Sequence, residues 1–201
     1  MKYLNIRGTS GTGKTHATKA LMEYSEAVPY MHTEKGKPLV YKGQVMSIPV
    51  YFLGSYKTSC GGCDTIPSVK IVAGLLDTLT NEHEHGTIVF EGLMISHMIG
   101  TVGAKLKELG VEKSILAFLD TDIETAIQRV KDRRLAAGNT KPLNEDNTRK
   151  DHPRVIAARN NAIEQGFQVY DIDHKNAVEV TKTLLNKMLS GESIEFKSNK
   201  I

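Results

Sequence analysis

Gly8-Thr9-Ser10-Gly11-Thr12-Gly13-Lys14-Thr15 matches the pattern G-x-x-x-x-G-K-[ST] at every fixed position. It follows the apolar-rich start Met1 to Ile6 and opens into a helical pattern from Lys14 to Tyr24. Strand, glycine loop and helix in that order form the setting in which such a loop holds phosphate. Glycine lets backbone N–H groups converge on phosphate oxygens, and the helix N-terminus adds partial positive charge. On this reading Gly8, Ser10, Gly11, Thr12, Gly13, Lys14, Thr15 and His16 cradle a nucleoside triphosphate, ATP. Lys14 reaches the β- and γ-phosphates, and the Thr15 hydroxyl holds Mg2+.

Outward from the loop, residues 2–8, 48–53, 87–92, 114–120 and 167–172 read as short apolar strands. Helical patterns separate them, with Val69, Val72, Leu75, Leu76 and Leu79 spaced along one helix face. Alternating strands and helices imply right-handed crossovers and a parallel sheet. The expectation is a three-layer α/β/α unit with a five-stranded parallel sheet, spanning residues 1–201 as a single domain. Lys37 to Tyr41, a Lys42-Gly43 turn and Gln44 to Ile48 read as a hairpin, an insertion over 28–48 beside the core. Residues 54–82 form the expected substrate-binding segment, 128–159 a basic lid region and 190–201 a frayed tail. Within the lid, 137–151 is polar and turn-rich and reads as a flap, with the next helix starting near Arg154.

With 201 residues, 40% hydrophobic and 24% charged, the chain has the composition of an ordinary globular domain. A net charge of +3 is too small to name a nucleic-acid partner by itself. From Gln128 to Arg159, however, nine Lys/Arg face four Asp/Glu, so a phosphate-rich partner is expected there. No charged-then-apolar leader and no apolar run of about 18 residues is visible, so no membrane segment is expected. Two cysteines suit a reducing cytoplasm.

Other motifs narrow the class. The chain lacks the Asn-Lys-x-Asp guanine reader of regulatory GTPases, and Leu189-Ser190-Gly191-Glu192 is a poor, misplaced version of an ABC signature. The strand ending Phe90-Glu91-Gly92 has one acid where motor-type ATPases usually have two. A small phosphotransferase remains. Arg129 and Arg133 lie four apart, which on a helix turns both guanidinium groups to one face; the alternative is a solvated basic surface.

Here the chain resembles the nucleoside monophosphate kinases, P-loop NTPases whose lid helix carries an Arg-x-x-x-Arg-Arg pattern, as in Arg129 to Arg134. The resemblance implies that Arg129 packs on adenine and Arg133 contacts the transferring phosphate. It also implies that Glu91, ending a strand, orients Mg2+-bound water. Asp64 is the candidate general base for an acceptor hydroxyl; equally it suits the cap of the helix starting near Ile66.

Cys60-Gly61-Gly62-Cys63 admits several readings. With His83 and His85 it supplies zinc-ligand types, but a helix over 66–81 would separate the pairs by roughly 24 Å. A redox pair lacks the expected setting, and close approach of the glycines to a substrate is the third reading. The stretch Leu53 to Thr58 through Cys-Gly-Gly-Cys-Asp resembles phage 5-hydroxymethyluracil DNA kinases, which phosphorylate a hydroxymethyl group on a base already in DNA. That resemblance implies ATP and modified DNA as partners, with Tyr41, Tyr51 and Tyr56 either stacking on bases or packing within the sheet. A free deoxynucleotide acceptor and a nucleotide-dependent switch protein are the alternatives.

Overall fold

Apolar runs that can be buried on both sides become the strands of one sheet. The computed structural model describes residues 1–58, 60–97 and 99–194. Its strands are β1 (Lys2–Arg7), β2 (Val28–His32), β3 (Pro38–Val45), β4 (Ile48–Leu53), β5 (Thr87–Glu91), β6 (Ser114–Asp120) and β7 (Gln168–Asp173). The helices are α1 (Lys14–Tyr24), α2 (Val69–Glu82), α3 (Leu93–Ser96), α4 (Gly100–Leu109), α5 (Ile123–Ala136), α6 (Glu145–Glu164) and α7 (Ala177–Ser190). The sheet order is β2-β3-β4-β5-β1-β6-β7.

The sheet therefore has seven strands, not five. Strands β4, β5, β1, β6 and β7 are parallel neighbours, and β3 and β2 extend the β4 edge in antiparallel pairing. The segment expected beside the core is thus part of the sheet itself. Its turn also moves: β3 runs straight through Lys42-Gly43, and the chain reverses at Met46-Ser47. Both turn residues have positive φ, 50° and 63°, the backbone of a two-residue hairpin that matches strand twist. Gly43 is needed for another reason. A Cβ there would collide with the Ser25 carbonyl oxygen, to which Gln44 N–H donates at 2.9 Å.

Alternate strand residues feed two apolar clusters, one on each face. Tyr3, Ile88, Phe90, Leu116 and Phe118 pack with Leu76 of α2, Leu106 of α4 and Val155 of α6. Leu4, Ile6, Val89 and Ala117 pack with Leu21 of α1 and Leu184 of α7. Burial on both faces is why these strands read as nearly continuous apolar runs. Among the described residues no helix is long and apolar enough to cross a membrane.

The lid differs most from expectation. Helix α6 begins at Glu145, so the non-helical connection spans only 137–144. Asn144 caps it by accepting from Asp146 N–H at 3.1 Å, and Lys131 of α5 pairs with Glu145 at 2.6 Å. Arg149 bridges Glu124 and Glu145, tying the polar first turns to α5. Pro153 lies inside the helix and removes one backbone donor there. Of the expected tail, 195–201 lie outside the described residues.

The glycines give opposite expectations. Gly43→Ala should cost about 1–3 kcal/mol through forced overpacking. Gly74→Ala, in α2 with open space at its Cβ position, should gain roughly 0.5–1 kcal/mol. Urea unfolding of both variants checks the pair; equal effects would overturn the steric account of Gly43.

Candidate active site

The glycine loop connects β1 to α1 at the C-terminal edge of the parallel strands. Gly13 precedes α1 with φ 101° and Gly11 has φ 85°, backbone that side chains rarely adopt. At Gly11 a Cβ would also strike the Ala126 carbonyl, so the loop lies directly on the first turns of α5. Lys14 Nζ donates to Gly8 O and Thr9 O, both at 2.8 Å, folding back across its own loop. Its pKa is lowered by burial, with Glu91 and Asp64 opposing. Ser96 of α3, which sequence reasoning missed, accepts from Gly8 N–H at 3.2 Å and donates to Gly92 O at 2.6 Å.

Glu91 ends β5 at 1% exposure, and Thr15 Oγ1 donates to its Oε1 at 2.9 Å. Burial pushes the carboxyl up to about 7, against the pull of Lys14 and the Thr15 hydrogen bond. The Cys60 to Asp64 segment closes over it. A Cβ on Gly62 would lie 2.5 Å from Glu91 O, and one on Gly61 would lie 2.8 Å from the Tyr56 ring and 3.3 Å from Thr15. These glycines therefore permit close packing of the loop on the protein's own site.

Asp64 caps a helix, but not the expected one. Ser68 caps α2, accepting from Ile71 N–H at 3.3 Å. The Asp64 carboxylate accepts instead from Leu93 N–H at 2.7 Å and Met94 N–H at 3.2 Å, the first residues of α3. Two donors hold the group in one orientation, and each oxygen keeps a lone pair.

Asp64, Lys14, Thr15, His16, Glu91, Arg129 and Arg133 all line one cleft of about 250 Å3, together with Ser10, Gly11 and Gly13. Arg129 donates to Gly11 O at 3.5 Å. Gly8 and Thr12 belong to the loop beneath, with Thr12 Oγ1 donating to Thr9 O at 2.9 Å. Cys60, Gly61 and Leu93 complete the wall; the first two belong to the Cys-Gly-Gly-Cys stretch, and only Leu93 offered no sequence signal.

Other candidates stand elsewhere. Tyr41, Tyr51 and Tyr56 are buried, which removes them as stacking platforms for DNA. Tyr41 and Tyr56 meet edge to face at 6.1 Å, and His83 stacks on Tyr51 at 4.9 Å. Cys63 is buried and Cys60 exposed. Among the described residues no three His, Cys, Asp or Glu side chains stand together as a metal-binding group.

The chain has counterparts among known proteins. No protein-family model matches the chain. A 5-hmdU DNA kinase of Pseudomonas phage PaMx11 is 34% identical over 188 residues, covering 92% of this chain and 97% of that protein. The chain belongs to the phage 5-hmdU DNA kinase family. A second member, from Pseudomonas phage M6, is 26% identical over 199 residues, covering 94% of this chain and 100% of its own. Among solved structures, a gluconokinase from Sinorhizobium meliloti 1021 aligns over 94% of both chains with a TM-score of 0.50 and 14% identity, a likeness of fold alone.

In this 5-hmdU DNA kinase family member the buried Glu91 should leave a mark on stability. Its folded pKa of about 7 exceeds the ordinary 4.5, so between these values the folded state holds a proton that the unfolded state has lost. Stability therefore falls as pH rises through that window, by up to about 3 kcal/mol, and the cost persists above it. Glu91→Gln should remove this loss: thermal unfolding at pH 5 and pH 8 should show a smaller decline in the variant. Parallel declines would refute the assigned cost.

Proposed function

We propose that this chain transfers the γ-phosphoryl group of ATP to the hydroxymethyl oxygen of 5-hydroxymethyluracil in DNA. We read residues 1–201 as one kinase unit acting in the cytoplasm of a phage-infected host. Kinship with the phage enzymes supports the substrate. The observation that carries the reading is the convergence of Asp64 on the cleft of Lys14, Thr15, Glu91, Arg129 and Arg133.

In this mechanism the loop N–H groups and Lys14 bind the triphosphate, and Arg129 lies against the adenine. Thr15 Oγ1 and Glu91 Oε1, hard oxygen donors 2.9 Å apart, fit Mg2+. When bound, Mg2+ would neutralise phosphate charge, and its own charge favours the ionised form of Glu91. Asp64 takes the proton of the acceptor hydroxyl, whose oxygen bonds to the γ-phosphorus as the bond to the β-phosphate oxygen breaks. ADP leaves with that electron pair, and Arg133 faces the charge that builds on the moving group. Positioning and charge neutralisation supply most of the acceleration.

The test offers γ-labelled ATP with Mg2+ to 5-hydroxymethyluracil DNA, unmodified DNA and free deoxynucleotides, then digests and resolves the products. Label confined to the modified base in DNA is expected. Label on a mononucleotide would replace the polymer acceptor, and ATP loss without labelled acceptor would make the chain a nucleotide-dependent switch. Asp64→Asn should lower kcat about 10²–10⁴-fold with KM for ATP little changed. Lys14→Ala should abolish transfer while the chain stays folded by circular dichroism; near-normal activity in either variant would remove that residue from its role.

A further inference from the structure

Folding redistributes the positive charge of residues 128–159. Lys131 pairs with Glu145, Arg149 with Glu124 and Glu145, Arg154 with Asp151 and Arg159 with Asp171. Among the described residues, Arg129, Arg133, Arg134, Lys141 and Lys150 have no carboxylate within the 4.0 Å of an ion pair. Lys141 lies on the exposed connection between α5 and α6, and the other four stand at two openings. Arg129 and Arg133 line the phosphate cleft, whereas Arg134 and Lys150 line a slot of about 510 Å3 between α5 and α6.

The slot and the cleft adjoin, since Ser10 and Leu93 belong to the walls of both. Leu93 is also the residue whose N–H holds Asp64. Val130 and Leu143 give the slot apolar sides, and Asn147 gives it a carboxamide with no partner in the described structure. Asn144 also lines the slot but is engaged as the α6 cap, and Asp151 there is paired with Arg154. Apolar walls, the unpartnered Asn147 amide and the cations Arg134 and Lys150 at this volume suit a nucleobase attached to a phosphate backbone. A pyrimidine-2,4-dione presents an acceptor at O2 and a donor at N3, which one carboxamide satisfies together. Its C5 substituent lies on the far side of the ring from that edge. A base gripped through O2 and N3 by Asn147 turns its C5 hydroxymethyl group away from that side chain, and the wall the slot shares with the cleft, Ser10 and Leu93, is where that group would meet the phosphate site.

Resting on the proposed reaction, we propose that this slot is the acceptor site. An unstacked pyrimidine of DNA enters between Leu93, Val130 and Leu143, Asn147 reads its O2/N3 edge, and Arg134 and Lys150 hold the flanking phosphates. Reaching the slot requires the base to leave its duplex stack.

Steady-state transfer to a 5-hydroxymethyluracil oligonucleotide, together with fluorescence anisotropy of its binding, tests the site in the full chain. Asn147→Leu should raise KM for the oligonucleotide roughly tenfold, the loss of about one hydrogen-bonding unit, with KM for ATP within about twofold. An oligonucleotide methylated at N3 of the modified base should lose a similar factor with the unaltered chain and little more with Asn147→Leu. Lys150→Ala should weaken binding of every sequence alike and reduce the log–log salt slope by about 1. Unaltered binding and KM for DNA in both variants would overturn the site. A rise in KM for ATP equal to that for DNA would move the slot to the donor nucleotide. If the unaltered chain labels no DNA but the variants still weaken its binding, the reaction fails and the DNA slot stands.

Discussion

A carboxylate held where a carboxylate is costly organises this molecule. Glu91 ends the central strand β5 at 1% exposure, with Thr15 of the phosphate loop as its hydrogen-bond partner and Gly62 pressed against its backbone and side chain. An apolar residue would pack there at less electrostatic cost. The acid persists in a position where the first turn of α1, the end of β5 and the Cys60 to Asp64 loop meet. Loop glycines follow from it, because Gly61 and Gly62 leave room that any side chain would fill. Asp64, one residue past Cys63, is thereby delivered to the start of α3, which in turn holds Gly8 through Ser96.

How much of this was legible depended on how locally each feature is encoded. The loop and α1 were readable to the residue because fixed spacing carries the phosphate geometry, and the parallel strands because two-sided burial selects continuous apolar runs. The hairpin turn was not: Met46-Ser47 lacks the Gly or Asn that usually announces positive φ, while Lys42-Gly43 imitates a turn. Helix α6 was hidden because Glu145 to Pro153 has no apolar period, and ion pairs to α5 supply what periodicity does not.

The candidate site divides the same way. Lys14, Thr15, Glu91, Arg129 and Arg133 sit on elements whose local pattern fixes their direction, and they reach one cleft. The partners of Asp64 lie about thirty residues downstream, beyond any local signal. Tyrosine chemistry misled for a related reason: an aromatic ring that suits a base also suits a sheet interior, and burial decides between them. Charge counted along the chain likewise overstated what is free, since Glu124 and Asp171, outside the basic segment, neutralise part of it.

The contact of Gly11 with the Ala126 carbonyl has a thermodynamic meaning. It leaves no slack between the phosphate loop and α5, so α5 cannot settle closer to the loop and can only swing away or carry the loop with it. If phosphate selects one loop conformation, it thereby selects a range of α5 positions, and an α5 position set by contacts at α6 must alter affinity for the triphosphate by the same factor. Two substrates bound against adjoining faces of one helix would then share a single free-energy ledger through a residue that has no side chain.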